Sequence, residues 1–96
     1  MENTIYLTIL YDYYKPLLTE KQCTYFEDYY FNNLTLSEMA ENYDISRSAV
    51  NKQINLTIEK LTEYEDKLNL YKNSVEIKKV IEKLPKETKE EIEKFI

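Results

Sequence analysis

Apolar residues near the start of the chain return at helical spacing: Tyr6, Leu10, Tyr13 and Leu17 are separated by four, three and four positions, with Ile5 and Ile9 alongside. That period predicts a helix over residues 4–14 with a broad apolar face. Pro16 ends it, because proline drives the residue before it out of the helical region. Thr19 followed by Gln22 reads as a capping box, with Leu18 and Cys23 at the flanking apolar positions. A second helix is therefore predicted over residues 20–31, burying Phe26 and Tyr30. Asn32 and Asn33 close it, since Asn tolerates the left-handed conformation that ends helices. A second box, Thr35 with Glu38, opens a short helix over residues 36–42, and Ser46, after a break at Tyr43, Asp44 and Ile45, is a good N-cap for the next.

From Arg47 onward an apolar and aromatic seam runs Val50, Ile54, Thr57, Leu61, Tyr64, Leu68, Tyr71, in alternating steps of four and three. This heptad-like pattern predicts one helix over residues 47–71, roughly 37 Å long at about 1.5 Å per residue. A small helical domain covers less than that. Part of the helix is expected to project or to meet a second copy, giving a homodimer through the first helix, the long helix or both. Residues 75–96 carry Val75, Ile77, Val80, Ile81 and Leu84 before Pro85, then Ile92, Phe95 and Ile96 after a Lys/Glu-rich run. They predict one or two amphipathic helices that order on packing or binding.

Composition narrows this further. The 96 residues include no Gly and only two Pro, whereas hairpins, phosphate loops and sheet corners lean on Gly for positive φ. The expected fold class is all-α, with a helix-turn-helix domain at residues 1–72 (motif 35–58) and an amphipathic helical tail at 73–96. With no His and one Cys, zinc sites, Ser-His or Cys-His nucleophiles and internal disulfides are excluded, so no enzyme, no cofactor and no small-molecule substrate are expected. The first residues have no basic leader and no long apolar run, which leads to the expectation of a cytoplasmic protein off the membrane. Charge is uneven: residues 1–46 hold two cationic and eight acidic side chains, residues 47–96 eleven and ten. A net charge of −5 is the wrong sign for a strong sequence-blind grip on nucleic acid.

The function-bearing pattern lies at residues 36–58. Ala40 is small where two helices would cross, Asp44 follows four residues later at the turn, and Val50 six beyond that on the inner side of the second helix. A steep helix crossing needs a small contact residue, a turn residue able to take positive φ and a buried branched residue at this spacing. Asp44 stands where Gly is usual. Outward on the first turns of the second helix lie Ser46, Arg47, Ser48, Asn51, Lys52 and Asn55, the candidate DNA-binding residues. Arg pairs bidentately with guanine, Asn with adenine, and Ser or Lys holds phosphate. The plain alternative is a solvated helix face, because Glu38, Glu41 and Asp44 outnumber the two cations of this segment. The tyrosines read as core and interface filler, and Cys23 as a small buried hydrophobe.

The stretch LTLSEMAENYDISRSAVNKQINLTIEKL resembles the promoter-reading fourth region of bacterial sigma factors. More specifically, residues 10–71 resemble the YlxM family of small helix-turn-helix proteins, through LLTEKQ at 17–22, YY at 29 and 30, LSEMAE at 36–41 and ISRSAV at 45–50. The resemblance implies an all-helical fold and a regulatory or accessory role linked to the signal recognition particle pathway, since such genes lie beside those of the particle's GTPase and its receptor. Two functions follow as expectations. One is a regulator that binds double-stranded DNA through the second motif helix; the other is an adaptor that contacts the signal recognition particle or the ribosome through its acidic and long-helix surfaces.

Overall fold

Short polar side chains set the helix ends. In a computed structural model that describes residues 3–96, Asn3 accepts the Tyr6 N–H at 3.1 Å and opens α1 (Thr4–Tyr14). The first residues of the expected motif domain, 1 and 2, lie outside the described ones. A 3-10 turn at Lys15–Leu17 carries Pro16 and leads to the Thr19–Gln22 capping box and α2 (Glu20–Tyr30). The Thr35–Glu38 box opens α3 (Leu36–Tyr43), and Ser46 caps α4 (Arg47–Leu68). Then come α5 (Leu70–Ile81) and α6 (Lys86–Glu93). The class is all-α, with no strand among the described residues.

Two apolar clusters hold the body. The first joins α1, α2 and α4 through Leu7, Leu10, Tyr11, Tyr14, Phe26 and Leu61, with the Tyr11 and Phe26 rings stacked at 4.4 Å between centroids. The second joins α2, α3 and α4 through Tyr25, Met39, Val50 and Ile54. At the edge of the first, the Tyr11 hydroxyl donates to the Glu27 carboxylate, which also pairs with Lys15 at 3.2 Å. These two partners hold the Glu27 carboxyl below its usual range, the phenol contributing most.

The packing corrects four expectations. On α1 the buried residues are Leu7, Leu10, Tyr11 and Tyr14, while Ile5 and Leu17 are exposed and Tyr6 and Tyr13 half-buried. This helix is apolar nearly all round, so periodicity alone does not choose between adjacent faces. On α4 the buried line is Val50, Ile54, Thr57, Leu61 and Glu65, with a step of four where the heptad reading takes three. A straight helix of 3.6 residues per turn drifts off a heptad seam, so Tyr64 is only half-buried and Leu68 faces solvent. Leu61 is occupied inside the protomer, and a dimer seam through it is excluded. Cys23, expected buried, is half-buried, its Sγ 3.8 Å from the Lys15 carbonyl.

The fourth correction is the end of the long helix. The chain leaves α4 at Asn69, with φ 54° and ψ 31°, two residues before the expected end, and α5 begins at once. Glu65 explains the break. Its carboxylate is buried, accepts the Tyr14 O–H at 2.5 Å and takes the N–H groups of Tyr71 and Lys72 at 3.1 and 3.0 Å. The Tyr14 hydroxyl in turn accepts the Leu70 N–H at 3.0 Å. The first three amides of α5, orphaned in any isolated helix, are thus satisfied by a carboxylate and a phenol. The expected boundary between residues 72 and 73 falls within α5, which packs on α1 and α4. At its far end α6 folds back on α5, with Lys89 paired to Glu82 at 2.8 Å.

Removing the Glu65 carboxylate strands one buried and two part-buried donors, so Glu65→Ala is expected to cost about 2 to 4 kcal/mol in denaturant unfolding, and Glu65→Gln, which keeps one acceptor oxygen, less. Burial and the Glu65 hydrogen bond push the Tyr14 phenol up to about 12. A group whose pKa is raised on folding contributes fully below its unfolded value of about 10 and loses that contribution as pH climbs toward 12. Unfolding free energy is therefore expected to fall above about pH 10, and to fall less steeply in Tyr14→Phe; equal slopes in the two proteins would contradict the assignment.

Candidate nucleic-acid interface

The turn between α3 and α4 is built from backbone geometry. Asp44 lies in the left-handed region at φ 54° and ψ 47°. Its N–H reaches the carbonyls of Ala40 and Glu41, and the Ile45 N–H donates to the Ala40 carbonyl at 3.1 Å. This is the double closure of a Schellman turn, with Ile45 and Ala40 both packed against the second cluster. A carboxylate residue tolerates this backbone better than a branched one, because its short polar side chain solvates locally. One residue later the Ser46 hydroxyl accepts the Ala49 N–H at 3.0 Å and starts α4.

Aromatic contacts clamp α3 to α2. The Tyr43 hydroxyl donates to the Asp28 carboxylate, and its ring stacks on Tyr25 at 4.7 Å between centroids. The Asp28 hydrogen bond, with burial second, pushes the Tyr43 phenol up to about 12, so it stays a donor at neutral pH. Inside the motif Met39, Val50 and Ile54 are fully buried. The Thr57 hydroxyl, buried with them, is satisfied by the Gln53 carbonyl at 3.0 Å.

That inner packing fixes what α4 turns outward. Ser46, Arg47, Ser48, Asn51, Lys52 and Asn55 are all exposed. At about 100° per residue the last five fall within an arc of roughly 140° on the first turns of α4. Among the described residues neither Arg47 nor Lys52 takes part in an ion pair. Both cations are therefore available. Ser46 differs from the other five, because one lone pair of its hydroxyl oxygen is engaged as the helix cap, which leaves its proton and the second lone pair for an outward partner. Leu36, read from the sequence only as a helix start, joins Arg47, Ser48 and Asn51 around a shallow surface depression. No sequence signal marks it, since the contact depends on how α3 crosses α4. Continued along α4, the same arc holds Glu59 and Asp66, both exposed. The face is cationic over its first two turns and acidic beyond.

Over residues 1–96 the chain matches the family described as "UPF0122: Putative helix-turn-helix protein, YlxM / p13 like". A UPF0122 protein of Bacillus licheniformis is 43% identical over 88 residues, which span 92% of this chain and 82% of the relative. One from Bacillus thuringiensis is 42% identical over 91 residues, 95% of this chain and 83% of the relative. Another from Bacillus velezensis is 43% identical over 84 residues, covering 88% and 76% respectively.

With Asp44 at positive φ, Asp44→Gly is expected to leave stability unchanged or raise it, and Asp44→Val to lower it by about 1 to 2 kcal/mol. Thermal unfolding followed by circular dichroism measures both. A valine variant as stable as the parent would contradict the turn geometry.

Proposed function

We propose, for a chain that belongs to the YlxM/p13-like helix-turn-helix family, a non-enzymatic cytoplasmic regulator that binds double-stranded DNA as a homodimer and takes part in the signal recognition particle pathway. One observation carries the DNA reading: five exposed polar side chains with two unpaired cations, on the outward arc of the second motif helix. A helix presented this way enters the major groove with its N-terminal residues at the base edges. Arg47 and Asn51 are then the base readers, while Ser46, Ser48, Lys52 and Asn55 hold the backbone. Residues 1–72 serve as the reading domain and 73–96 as its tail. The place in the signal recognition particle pathway rests on the family resemblance. No helix among the described residues is long and apolar enough to cross a membrane.

The acidic continuation of the α4 arc through Glu59 and Asp66 bears on how DNA is held. Phosphates approach only the first two turns, so binding depends on few cations and on specific contacts rather than bulk attraction. The same acidity, with the two cationic and eight acidic side chains of residues 1–46, supports the second reading, an adaptor that offers an acidic surface to a basic site on the signal recognition particle or the ribosome.

If DNA is read, Arg47→Ala should cost about 1 to 3 kcal/mol of specific binding, while Lys52→Ala should weaken all sequences alike and flatten the salt slope by about one unit. The unaltered protein should neutralise only about two to four phosphates per subunit. Fluorescence titration against random duplex and against the region upstream of its own operon, at two salt concentrations, measures these effects. If no sequence-dependent binding appears at low salt, the adaptor reading takes its place. In that case charge reversal at Glu27 and Asp28 should abolish capture of the particle's protein, and so should reversal at the exposed Glu20 and Glu41, where no tyrosine contact is lost.

A further inference from the structure

Leu36 sets an apolar side chain among groups that reach DNA through hydrogen bonds. It is the first residue of α3, and the Thr35–Glu38 capping box fixes it there. The Glu38 carboxylate accepts the Thr35 N–H at 2.9 Å, and the Thr35 hydroxyl accepts the Glu38 N–H at 3.0 Å. Leu36 packs against the cluster of Tyr25, Met39, Val50 and Ile54, yet it is only half-buried, so part of it stays open. Across the shallow depression stand Arg47, Ser48 and Asn51. Asn51 lies four residues after Arg47 and three after Ser48, which puts all three on one face of α4. Val80 and Phe95 are more exposed, but they belong to the arm that α5, α6 and the last residues form beyond the motif.

A base edge entering this depression meets donors and acceptors on one wall and hydrocarbon on the other. In the major groove every base pair presents hydrogen-bonding atoms, and the one apolar group among them is the C5-methyl of thymine. An amino, N7 or carbonyl group turned toward Leu36 would give up water without gaining a partner, which is unfavourable. A phosphate fits no better. The first helix of such a motif crosses the sugar-phosphate backbone, where a leucine side chain has no donor to offer. The methyl of thymine alone gains from the contact, because both surfaces leave water together.

We infer that Leu36 is a specificity-determining residue of the motif, seating the C5-methyl group of a thymine beside the adenine that Asn51 reads. The inference rests on the DNA reading proposed above and deepens it: the recognised element holds a thymine next to that adenine, and two helices reach the step, α3 through Leu36 and α4 through Asn51. Being apolar, the contact does not weaken as salt rises, and it adds discrimination where cations are few. The capping box and the cluster beneath hold Leu36 in place before DNA arrives, so little side-chain freedom is lost on contact.

Duplexes enriched from a random pool by the unaltered full chain at low salt supply the site, and each thymine in it is then replaced in turn by deoxyuridine, which lacks only the methyl. At one thymine the replacement should weaken binding about fourfold, the worth of one methyl-sized group taken out of water. The factor should be the same at two salt concentrations. In Leu36→Ala, with helical circular dichroism unchanged, thymine and deoxyuridine should bind alike, whereas Leu36→Met, which keeps an apolar side chain of similar volume, should still tell them apart. If the alanine variant unfolds, Leu36→Val, shorter by one methylene, takes its place and should show a smaller factor than the unaltered protein. An enriched site in which no deoxyuridine weakens binding, or a factor that persists undiminished in Leu36→Ala, would overturn the role of Leu36 and leave the DNA reading in place. A pool from which no sequence is enriched would overturn both.

Discussion

A buried carboxylate is tolerated only where hydrogen bonds replace the water it has lost, and otherwise costs several kcal/mol. Glu65 meets that condition with three donors from two elements: α5 gives two backbone amides, and α1 gives the Tyr14 phenol. If Glu65 were moved or neutralised, α5 would lose its start, Tyr14 its partner and α4 its reason to stop. The direction of the arm relative to the motif is therefore set by one side chain outside the motif.

How far this could be read from the sequence depended on the range of the interactions. Three N-caps were visible, because a capping box or an N-cap Ser is a local chemical statement: Thr19, Thr35 and Ser46 all accept the amides three residues on. Asp44 was visible for the same reason, as only a few residue types take its backbone cheaply. Glu65 was not, since it reads as one more charge on a polar helix face and acquires its role from Tyr14, 51 positions earlier. The break at Asn69 followed it out of sight, because an apolar seam continuing to Tyr71 suggested an unbroken helix. Among the candidate contact residues, exposure and common direction followed from the inner packing of Val50 and Ile54. The neighbouring Leu36 required the folded chain.

The charge pattern has a corresponding logic. On the outward arc of α4 the cations Arg47 and Lys52 sit at the end nearest the turn and the acids Glu59 and Asp66 toward the arm, so the two ends of that arc favour different partners. With few cations at the motif, long-range attraction to nucleic acid is weak, and any discrimination must come from close contacts at the first two turns. In a chain whose first 46 residues are strongly acidic, that separation also discourages sticking to bulk RNA and DNA.

The three positive-φ residues among the described ones are Asn33, Asp44 and Asn69, each at a helix end, in a sequence without a single Gly. A glycine at those junctions would relax native strain of about a kcal/mol, but it would also enlarge the conformational freedom of the unfolded chain. Asparagine and aspartate keep that freedom small and leave each junction with a side chain that resists being turned. The joints between helices are consequently stiff, and the reading helix and the arm should move with the body as one piece, without glycine hinges to let a partner reorient them.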